Sequence, residues 1–330
     1  MRIAILGNGG FGTAMALTLE SRGHGVSLWG HDAVYTASIA ASRHNPRYLD
    51  GVTLPDAIRV TNDPRAALDR AAIVLVAVPT QHIRGVVEGL REHLPADAPL
   101  VSLAKGLEQS TGKRPSEVLA ELVGGGERVF VLSGPSHAEE IAHRKPTTVV
   151  VAGTGEQALC DLQQELQTER FRVYRNHDLL GVELCGALKN VMALAAGIAD
   201  GLGYGDNAKA AILSRGIVEM QRYGLACGAD PQTFFGLAGV GDLAVTAFSQ
   251  HGRNRAFGER IGRGETLQQA MQASPKVAEG VWTAKVVAAA AEQKGVEMPI
   301  ASAVARVLYD DMPAQLAVRE LMERDPKAEG

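Results

Sequence analysis

The first 29 residues contain the pattern that most restricts how this chain can fold. An apolar run, residues 2–6, precedes a glycine-rich turn, and a helix-forming segment then leads to a second apolar run, residues 25–29. In a β-α-β unit of this kind, one glycine permits a tight turn, the next lets a pyrophosphate approach the backbone, and the last lets helix and strand pack closely. Gly7, Gly9 and Gly12 have this spacing. They predict a dinucleotide-binding site, with a plain glycine-rich turn as the alternative.

The alternation of apolar strands and helices continues to about residue 175. Runs such as Ala72–Val78 are apolar throughout, as is typical of parallel strands that are buried on both faces. From about residue 176 the pattern changes to helices only. The sequence therefore predicts an α/β fold, in which a Rossmann-type doubly wound sheet over residues 1–175 is followed by an all-α domain over residues 176–330.

The helical half begins with one long segment, Asp178–Gly201, that is apolar or small on almost every face. It contains no proline, its alanines and leucines favour a helix, and Asp178 is placed to cap it. A helix that is apolar all round is buried, yet Lys189 and Asn190 lie in its middle. A lone lysine usually reaches solvent by its long stem. Because this segment has no polar face, we favour a lysine that faces a cleft.

Polar residues that follow the predicted strands are candidate ligand contacts, because ligands bind at the carboxyl ends of the strands in such sheets. Pro79 follows one strand and is expected to line the cofactor groove or only to end the strand. Lys105 follows the next strand, where a lysine either faces an anion or remains solvated. Ser136 lies three residues before Glu139. This spacing predicts Ser136 as the N-cap of a helix.

The segment after the second strand bears on the choice of cofactor. NAD-specific sites often have an acid there, about 20 residues after the glycines, but Gly30 occupies this position. His31 is either a contact for the 2′-phosphate of NADP(H) or an ordinary loop residue. Asp32 is either the ribose-binding acid or the N-cap of the next helix. NADP(H) is favoured, and NAD(H) remains the alternative.

The helical half contains further polar residues that we consider as site candidates. Three glycines within residues 236–241 indicate a tight backbone path that presents Asp242 at its end. Arg253 and Asn254 follow, and a guanidinium group recognises phosphate by its planar fork, although such a pair is more often an ordinary surface feature. Glu279 begins a later helix, where an acid also suits the helix dipole.

Composition restricts the class of protein and its compartment. Lys and Arg total 33 and Asp and Glu total 37, so the net charge of −4 gives no reason to expect a nucleic-acid partner. The three cysteines fit neither a metal site nor a disulfide framework. No uninterrupted apolar run has the length of a membrane span. We expect a cytoplasmic protein without a metal, a nucleic-acid partner or stable membrane insertion.

A series of segments along the chain resembles the bacterial NAD(P)-dependent glycerol-3-phosphate dehydrogenases. They are GNGGFG, VPTQH, AKGLE, SGPSHAEE, GVELCGALKNV, GLAGVGDL and GRNRAFG, in this order. The resemblance spans essentially the whole chain. It implies reduction of dihydroxyacetone phosphate to sn-glycerol 3-phosphate by NAD(P)H, which supplies phospholipid backbones. It also implies a homodimer, the commonest symmetric assembly.

The same resemblance implies roles for individual residues. Lys189 resembles the catalytic lysine and is expected to act as general acid and base, with Asp242 orienting it and Lys105 stabilising charge on the substrate oxygen. The substrate contacts that it implies are Lys105, Gly134, Ser136, Lys189, Asp242, Gly252, Arg253 and Asn254. The cofactor contacts, added to the three glycines of the turn, are Gly10, Phe11, His31, Lys105, Ala138, Arg253, Val277 and Glu279.

Two other functions remain open at this point. A related two-domain dehydrogenase that acts on a hydroxy acid or keto acid also needs a cation for its substrate, because carboxylates pair with arginine as phosphates do. A non-enzymatic dinucleotide sensor needs the glycine-rich turn but not the combination of Lys105, Lys189, Asp242 and Arg253. The occurrence of all four therefore favours an enzyme.

Overall fold

A computed structural model of the chain describes residues 1–249, 252–273, 278–326 and 328. The chain divides into two compact units, Met1–Glu183 and Leu184–Gly330. The strands of the first unit are β1 (Arg2–Leu6), β2 (Gly25–Trp29), β3 (His44–Asn45), β4 (Leu49–Thr53), β5 (Arg59–Thr61), β6 (Ile73–Val76), β7 (Leu100–Ser102), β8 (Val129–Ser133), β9 (Thr147–Ala152) and β10 (Phe171–Asn176).

The helices that alternate with these strands are α1 (Gly10–Glu20), α2 (Ala33–Ser42), α3 (Pro64–Leu68), α4 (Ile83–Leu90), α5 (Pro115–Val123), α6 (Ala138–Ala142) and α7 (Glu156–Leu166). Eight strands form one sheet in the order β10-β9-β8-β7-β6-β1-β2-β5. Its part from β5 to β8 has the strand order of a Rossmann fold, so the predicted fold class is confirmed. Strand β9 runs antiparallel to β8, a reversal that apolar runs alone do not reveal.

Both faces of this sheet are buried, as the apolar strands predict. Ile3 and Ile5 belong to the core on one face, whereas Ala4 and Leu6 belong to the core on the other. Successive side chains of a strand point to opposite faces, so β1 contributes to both cores at once. The carboxyl ends of the parallel strands are thereby fixed at one edge, where the glycine-rich turn follows β1.

In the second unit, the described residues form helices and turns but no strand. Helix α8 (Leu179–Gly201) crosses the division between the units, and Asp178 caps it as predicted by accepting the Gly181 N–H at 2.8 Å. The helices that follow are α9 (Asp206–Cys227), α10 (Asp242–Phe248), α11 (Arg253–Gly262), α12 (Leu267–Ala273), α13 (Glu279–Gln293), α14 (Pro299–Tyr309) and α15 (Ala314–Met322).

Helix α8 is buried almost from end to end, including Lys189 and Asn190, which are 5% and 4% exposed. Among the described residues it alone has the length and composition of a membrane span, but 89% of that window is buried inside the protein. Its apolar surface is therefore covered by protein, as in the core helix of a folded domain.

Helices α8 and α11 contact each other through glycines on both sides. Gly197 and Gly201 lie on α8, and Gly258 and Gly262 lie on α11. A Cβ atom at any of these positions would lie only 2.0 to 2.3 Å from a carbonyl oxygen of the facing helix. The two backbones therefore touch, because only hydrogen atoms separate them.

We expect Gly258→Ala to lower the free energy of unfolding by about 2–3 kcal/mol, because the added methyl group forces the two backbones apart. Gly85→Ala is the matched control, since Gly85 is an exposed glycine of α4 with no atom near its would-be Cβ. The control should gain up to about 1 kcal/mol from helix propensity. Urea denaturation measures both changes, and equal stability of the two variants would contradict the close contact.

A buried acid anchors the start of α14. Glu219 of α9 is 3% exposed, and its carboxylate accepts the N–H groups of Ile300, at 2.8 Å, and of Ala301, at 3.2 Å. N–H groups in the first turn of a helix have no backbone acceptor within that helix, so the carboxylate supplies the missing acceptor. Burial nevertheless raises the pKa of Glu219 to about 7, because desolvation outweighs the hydrogen bonds that favour the charged form.

The pKa of Glu219 predicts a pH dependence of stability. A carboxyl group that binds its proton more tightly when folded stabilises the fold below its unfolded pKa, and this contribution is lost as pH rises towards about 7. The loss is about 3 kcal/mol at most. Glu219→Gln keeps an acceptor for Ile300 but cannot ionise. Chemical denaturation of both proteins between pH 4.5 and 7.5 should show wild type losing stability relative to the variant; parallel curves would refute this assignment.

Candidate functional site

The glycine-rich turn has the geometry that a pyrophosphate requires. Gly7 has a φ of +114°, and a Cβ there would lie 2.5 Å from the Ala77 carbonyl oxygen. A Cβ at Gly12 would lie 2.0 Å from the Gly7 carbonyl oxygen, so this glycine permits the close packing of α1 on β1. Gly9 is the N-cap of α1, where no side chain caps the helix and no atom lies within 4 Å of the would-be Cβ. The helix N-terminus is therefore open to an anion, and these residues fit a dinucleotide.

Three other candidates for cofactor binding lie next to this turn. Gly10 begins α1, and its would-be Cβ lies 2.8 Å from the Tyr48 carbonyl oxygen and 3.6 Å from the Ala138 Cβ. Phe11 is half-buried and packs against the core of the sheet. Gly10 and Ala138 thus lie together at the start of α1. Phe11, by contrast, packs at least in part against the hydrophobic core of the sheet.

The residues at the end of β2 separate into different roles. His31 is exposed, with its ring centroid 6.2 Å from that of Trp29. Asp32 accepts the Tyr35 N–H at 2.9 Å and so caps α2. Of the two roles considered for Asp32, the structure therefore supports that of helix cap.

Lys105, Gly134 and Ser136 lie together beyond β7 and β8. The Lys105 ammonium group donates to the Gly134 carbonyl oxygen at 2.8 Å and to the Ser136 hydroxyl at 3.1 Å. The Ser136 hydroxyl in turn donates to the Gly134 carbonyl oxygen at 2.8 Å. The prediction of Ser136 as helix N-cap is wrong, because the N-cap of α6 is His137 and its side chain makes no capping bond. The serine hydroxyl is directed to Gly134 instead.

The turn that carries Lys105 is fixed by Glu108, which the sequence interpretation missed. Glu108 is 5% exposed and accepts two hydrogen bonds from the Arg84 guanidinium, both at 2.9 Å, and one from the Thr111 hydroxyl. The hydrogen bonds from Arg84 hold the pKa of Glu108 below its usual value. Such bidentate pairs combine strength with a defined geometry, so α4 determines the path of this turn.

We predict that Glu108→Gln loosens the backbone of residues 105–113, because the amide forms a weaker, uncharged contact with Arg84. Amide hydrogen exchange in this segment should accelerate roughly tenfold. Glu121→Gln is the control, since Glu121 is an exposed acid 3.0 Å from the same guanidinium. If both variants exchanged alike, Glu108 would not be what holds the turn.

In the second unit, Lys189 forms a buried ion pair with Asp242. The ammonium Nζ lies 2.6 Å from Asp242 Oδ1 and donates to the Thr246 hydroxyl at 2.8 Å. The Thr246 hydroxyl donates to the backbone carbonyl of Asp242 at 2.6 Å. Asp242 is the first residue of α10, directly after the π-helical segment Leu237–Gly241, so it lies at the end of the glycine-rich stretch as predicted. Lys189 is thus buried and paired, so the alternative of a lysine that reaches solvent by its long stem is wrong.

A second polar contact fixes the start of α11 on α8. Asn254 is buried, donates to the Asn190 side-chain oxygen at 2.9 Å and accepts the Gly280 N–H at 3.0 Å. Gly252 is the buried N-cap of α11, and a Cβ there would lie 2.8 Å from the Thr246 carbonyl oxygen. Arg253, between them, is exposed. The two flanking residues therefore hold the backbone while the guanidinium group remains accessible.

Two candidates for cofactor binding remain, Glu279 and Val277. Glu279 is the half-buried first residue of α13, and Val277 lies outside the described residues. Within the part of the chain that is described, no group of three acidic, histidine or cysteine residues is arranged to hold a metal ion. A cavity of about 600 Å³ is lined by residues of α13, α14 and α15, and its lining includes none of the predicted site residues.

Thr246 and Asn190 are functional candidates to which the sequence interpretation gave no role. A signal existed for both. Thr246 follows Asp242 by four residues, which puts both side chains on one face of a helix. Asn190 is a polar residue in an otherwise apolar helix. For Glu108 the sequence gives no comparable signal, since its partner Arg84 lies on a separate element.

Known proteins resemble this chain over its whole length. A family model of the NAD-dependent glycerol-3-phosphate dehydrogenase N-terminus matches residues 2–159, and one of the C-terminus matches residues 178–319. A glycerol-3-phosphate dehydrogenase [NAD(P)+] of Chlorobium limicola is 47% identical over 100% of this chain and 99% of its own. One from Geobacillus kaustophilus is 49% identical, covering 99% and 96%. The crystal structure of glycerol-3-phosphate dehydrogenase from Coxiella burnetii superposes with a TM-score of 0.93 at 38% identity, covering 98% and 99%.

Proposed function

Because this chain belongs to the NAD-dependent glycerol-3-phosphate dehydrogenase family, we propose that it reduces dihydroxyacetone phosphate to sn-glycerol 3-phosphate with NAD(P)H. The observation that carries the proposal is the buried ammonium group of Lys189, held by Asp242 and Thr246. A ketone reduction needs a proton donor for the carbonyl oxygen, and a positioned lysine supplies one. The product is a precursor of glycerophospholipids.

The reaction adds a hydride to the carbonyl carbon and a proton to the carbonyl oxygen. The reduced nicotinamide, when bound, supplies the hydride. Lys189 donates the proton from Nζ and becomes a neutral amine, which a proton from solvent restores. In the oxidation direction the neutral amine accepts the proton from the substrate hydroxyl. Asp242 and Thr246 hold Nζ in one orientation, since they bind it at 2.6 and 2.8 Å.

The substrate phosphate needs cations and donors that remain accessible. We assign this role to Arg253, whose fork matches a phosphate and which is exposed at the start of α11. Gly252 and Asn254 support it by fixing the backbone on either side. Lys105, with Gly134 and Ser136, is proposed to contact the substrate and to stabilise negative charge on its oxygen.

The cofactor contacts follow from the turn after β1. Gly7, Gly9 and Gly12 are proposed to receive the pyrophosphate at the N-terminus of α1, supported by the open space at Gly9. The additional contacts that we propose are Gly10, Phe11, His31, Lys105, Ala138, Arg253, Val277 and Glu279. We further propose a cytoplasmic homodimer, with residues 1–175 as the cofactor domain and residues 176–330 as the substrate domain. Sedimentation at twice the chain mass of 34.8 kDa would support the dimer.

An assay of substrate choice tests the reaction itself. Oxidation of NADPH and of NADH is followed with dihydroxyacetone phosphate and, separately, with α-keto acids such as ketopantoate. We expect turnover with the phosphorylated ketone only. Turnover of the keto acids alone would favour the related dehydrogenase instead, and cofactor binding without any turnover would favour a dinucleotide sensor.

Two substitutions separate proton transfer from phosphate binding. Lys189→Ala should lower kcat about 10²–10⁴-fold and leave cofactor binding intact, and Lys189→Arg should not rescue it, because arginine does not give up its proton. Arg253→Ala should raise KM for dihydroxyacetone phosphate far more than it lowers kcat. Arg263→Ala, which removes an exposed arginine at the other end of α11, is its control. Near-normal turnover of Lys189→Ala, or an unchanged KM for Arg253→Ala, would remove that residue from its role.

A further inference from the structure

The end of β2 has no room for the acid that commonly selects NAD. In folds of this type, that carboxylate binds the 2′-hydroxyl of the adenosine ribose. Gly30 stands at this position, and a Cβ there would lie 2.2 Å from both Asn8 Nδ2 and Thr36 Oγ1. These two atoms form a buried hydrogen bond of 3.0 Å. A side chain at position 30, a carboxylate included, would therefore have to displace the hydrogen-bonded Asn8 and Thr36 side chains.

The next acid along the chain, Asp32, is engaged elsewhere. Its Oδ1 accepts the Tyr35 N–H at 2.9 Å as the cap of α2, and its Oδ2 lies 3.8 Å from Arg47 Nη1. A capping carboxylate that also faces a guanidinium group is poorly arranged to hold a ribose hydroxyl. The contact with Asp32 instead shows that the guanidinium group of Arg47 lies close to the end of β2.

The loop that carries Arg47 is fixed by a fully buried asparagine. Asn45 Nδ2 donates to the Asn8 carbonyl oxygen at 2.9 Å and to the Thr13 hydroxyl at 2.8 Å, and its Oδ1 accepts from the Tyr35 hydroxyl at 2.6 Å. These bonds tie the loop to the glycine-rich turn and to α1. The loop therefore holds Arg47 close to the glycine-rich turn.

The guanidinium group of Arg47 is oriented and yet accessible. Its Cζ atom lies 4.2 Å from the ring centroid of Tyr35 and 5.9 Å from that of Tyr48, which restricts its motion by cation–π contacts. The side chain is 55% exposed, so a ligand can reach it. A planar fork held on an aromatic face is well suited to a phosphate dianion.

We propose that Arg47 recognises the 2′-phosphate of NADP(H), and that it makes this chain selective for the phosphorylated cofactor. The inference rests on the proposed binding of a dinucleotide at the glycine-rich turn. His31, which is exposed at the end of β2, is a second basic side chain that can approach the same phosphate. Asp32 opposes the attraction, since its carboxylate repels the phosphate.

Fragments of the cofactor test the proposal without catalysis. Binding of adenosine 2′,5′-bisphosphate and of 5′-AMP to the full chain is measured by calorimetry. Wild type should bind the bisphosphate at least about tenfold more tightly, and Arg47→Ala should abolish that difference while 5′-AMP binding stays the same. Arg59→Ala, which removes an exposed arginine of β5, controls for overall charge. Arg47→Lys should retain part of the preference, because the charge remains without the fork.

Asp32→Asn removes a negative charge beside Arg47, whereas Arg47→Ala removes the positive one. Asparagine keeps the capping acceptor for α2 but removes the charge, so bisphosphate binding should become tighter and 5′-AMP binding should stay constant. With the complete enzyme, the ratio of kcat/KM for NADPH to that for NADH should fall about tenfold in Arg47→Ala.

Three results of the fragment-binding experiment would overturn the proposal. They are equal binding of the two fragments by wild type, an equal loss of both in Arg47→Ala, and no binding of either. The last result would also remove the dinucleotide site from the proposed function. By contrast, equal use of NADH and NADPH with dihydroxyacetone phosphate would overturn the selectivity of Arg47 and leave the proposed reaction standing.

Discussion

The buried pair of Lys189 and Asp242 constrains how the helices of the second unit are arranged. Both side chains are almost completely removed from water, and each neutralises a charge that is costly to bury alone. The pair requires α8 and the turn before α10 to stay in one arrangement, and Thr246 supplies a further acceptor for the ammonium group. A buried ion pair contributes little to stability, but it holds the ammonium group of Lys189 in one position.

Close packing of backbones complements this polar contact along the same helix. The glycines that α8 and α11 share let the two backbones touch, and Asn254 fixes the first turn of α11 on Asn190 of α8. Arg253 is therefore attached to the helix that carries Lys189, through neighbours that leave its own guanidinium exposed. In the first unit, Glu108 fixes the turn that carries Lys105 in a comparable way. Lys105 and Arg253 thus both lie on backbone segments that buried side chains hold in place.

Much of the fold and part of the site follow from local patterns in the sequence. Some patterns predict only the secondary structure of their own segment. They are the glycine spacing after β1, the apolar strands and the long apolar helix, and the structure confirms the element that each predicts. Ser136 shows where this reasoning fails. The spacing of Ser136 and Glu139 is that of a helix cap, but the Ser136 hydroxyl donates to the Gly134 carbonyl oxygen instead. Lys105 donates to the same carbonyl oxygen. A local rule cannot weigh Lys105, which follows a different strand and donates to the Ser136 hydroxyl itself.

The sequence by itself determined the order of strands and helices along the chain, the glycine-rich turn that opens α1 and the apolar helix around Lys189, because each depends on neighbours along the chain. The family resemblance implied that Asp242 orients Lys189, but only the tertiary structure brings these side chains, 53 residues apart, into contact. The tertiary structure also decided that β9 runs against β8 and that a hydrogen bond between Asn8 and Thr36 leaves no room at Gly30. These choices depend on which surfaces pack together, and packing is a property of the whole fold rather than of any single segment.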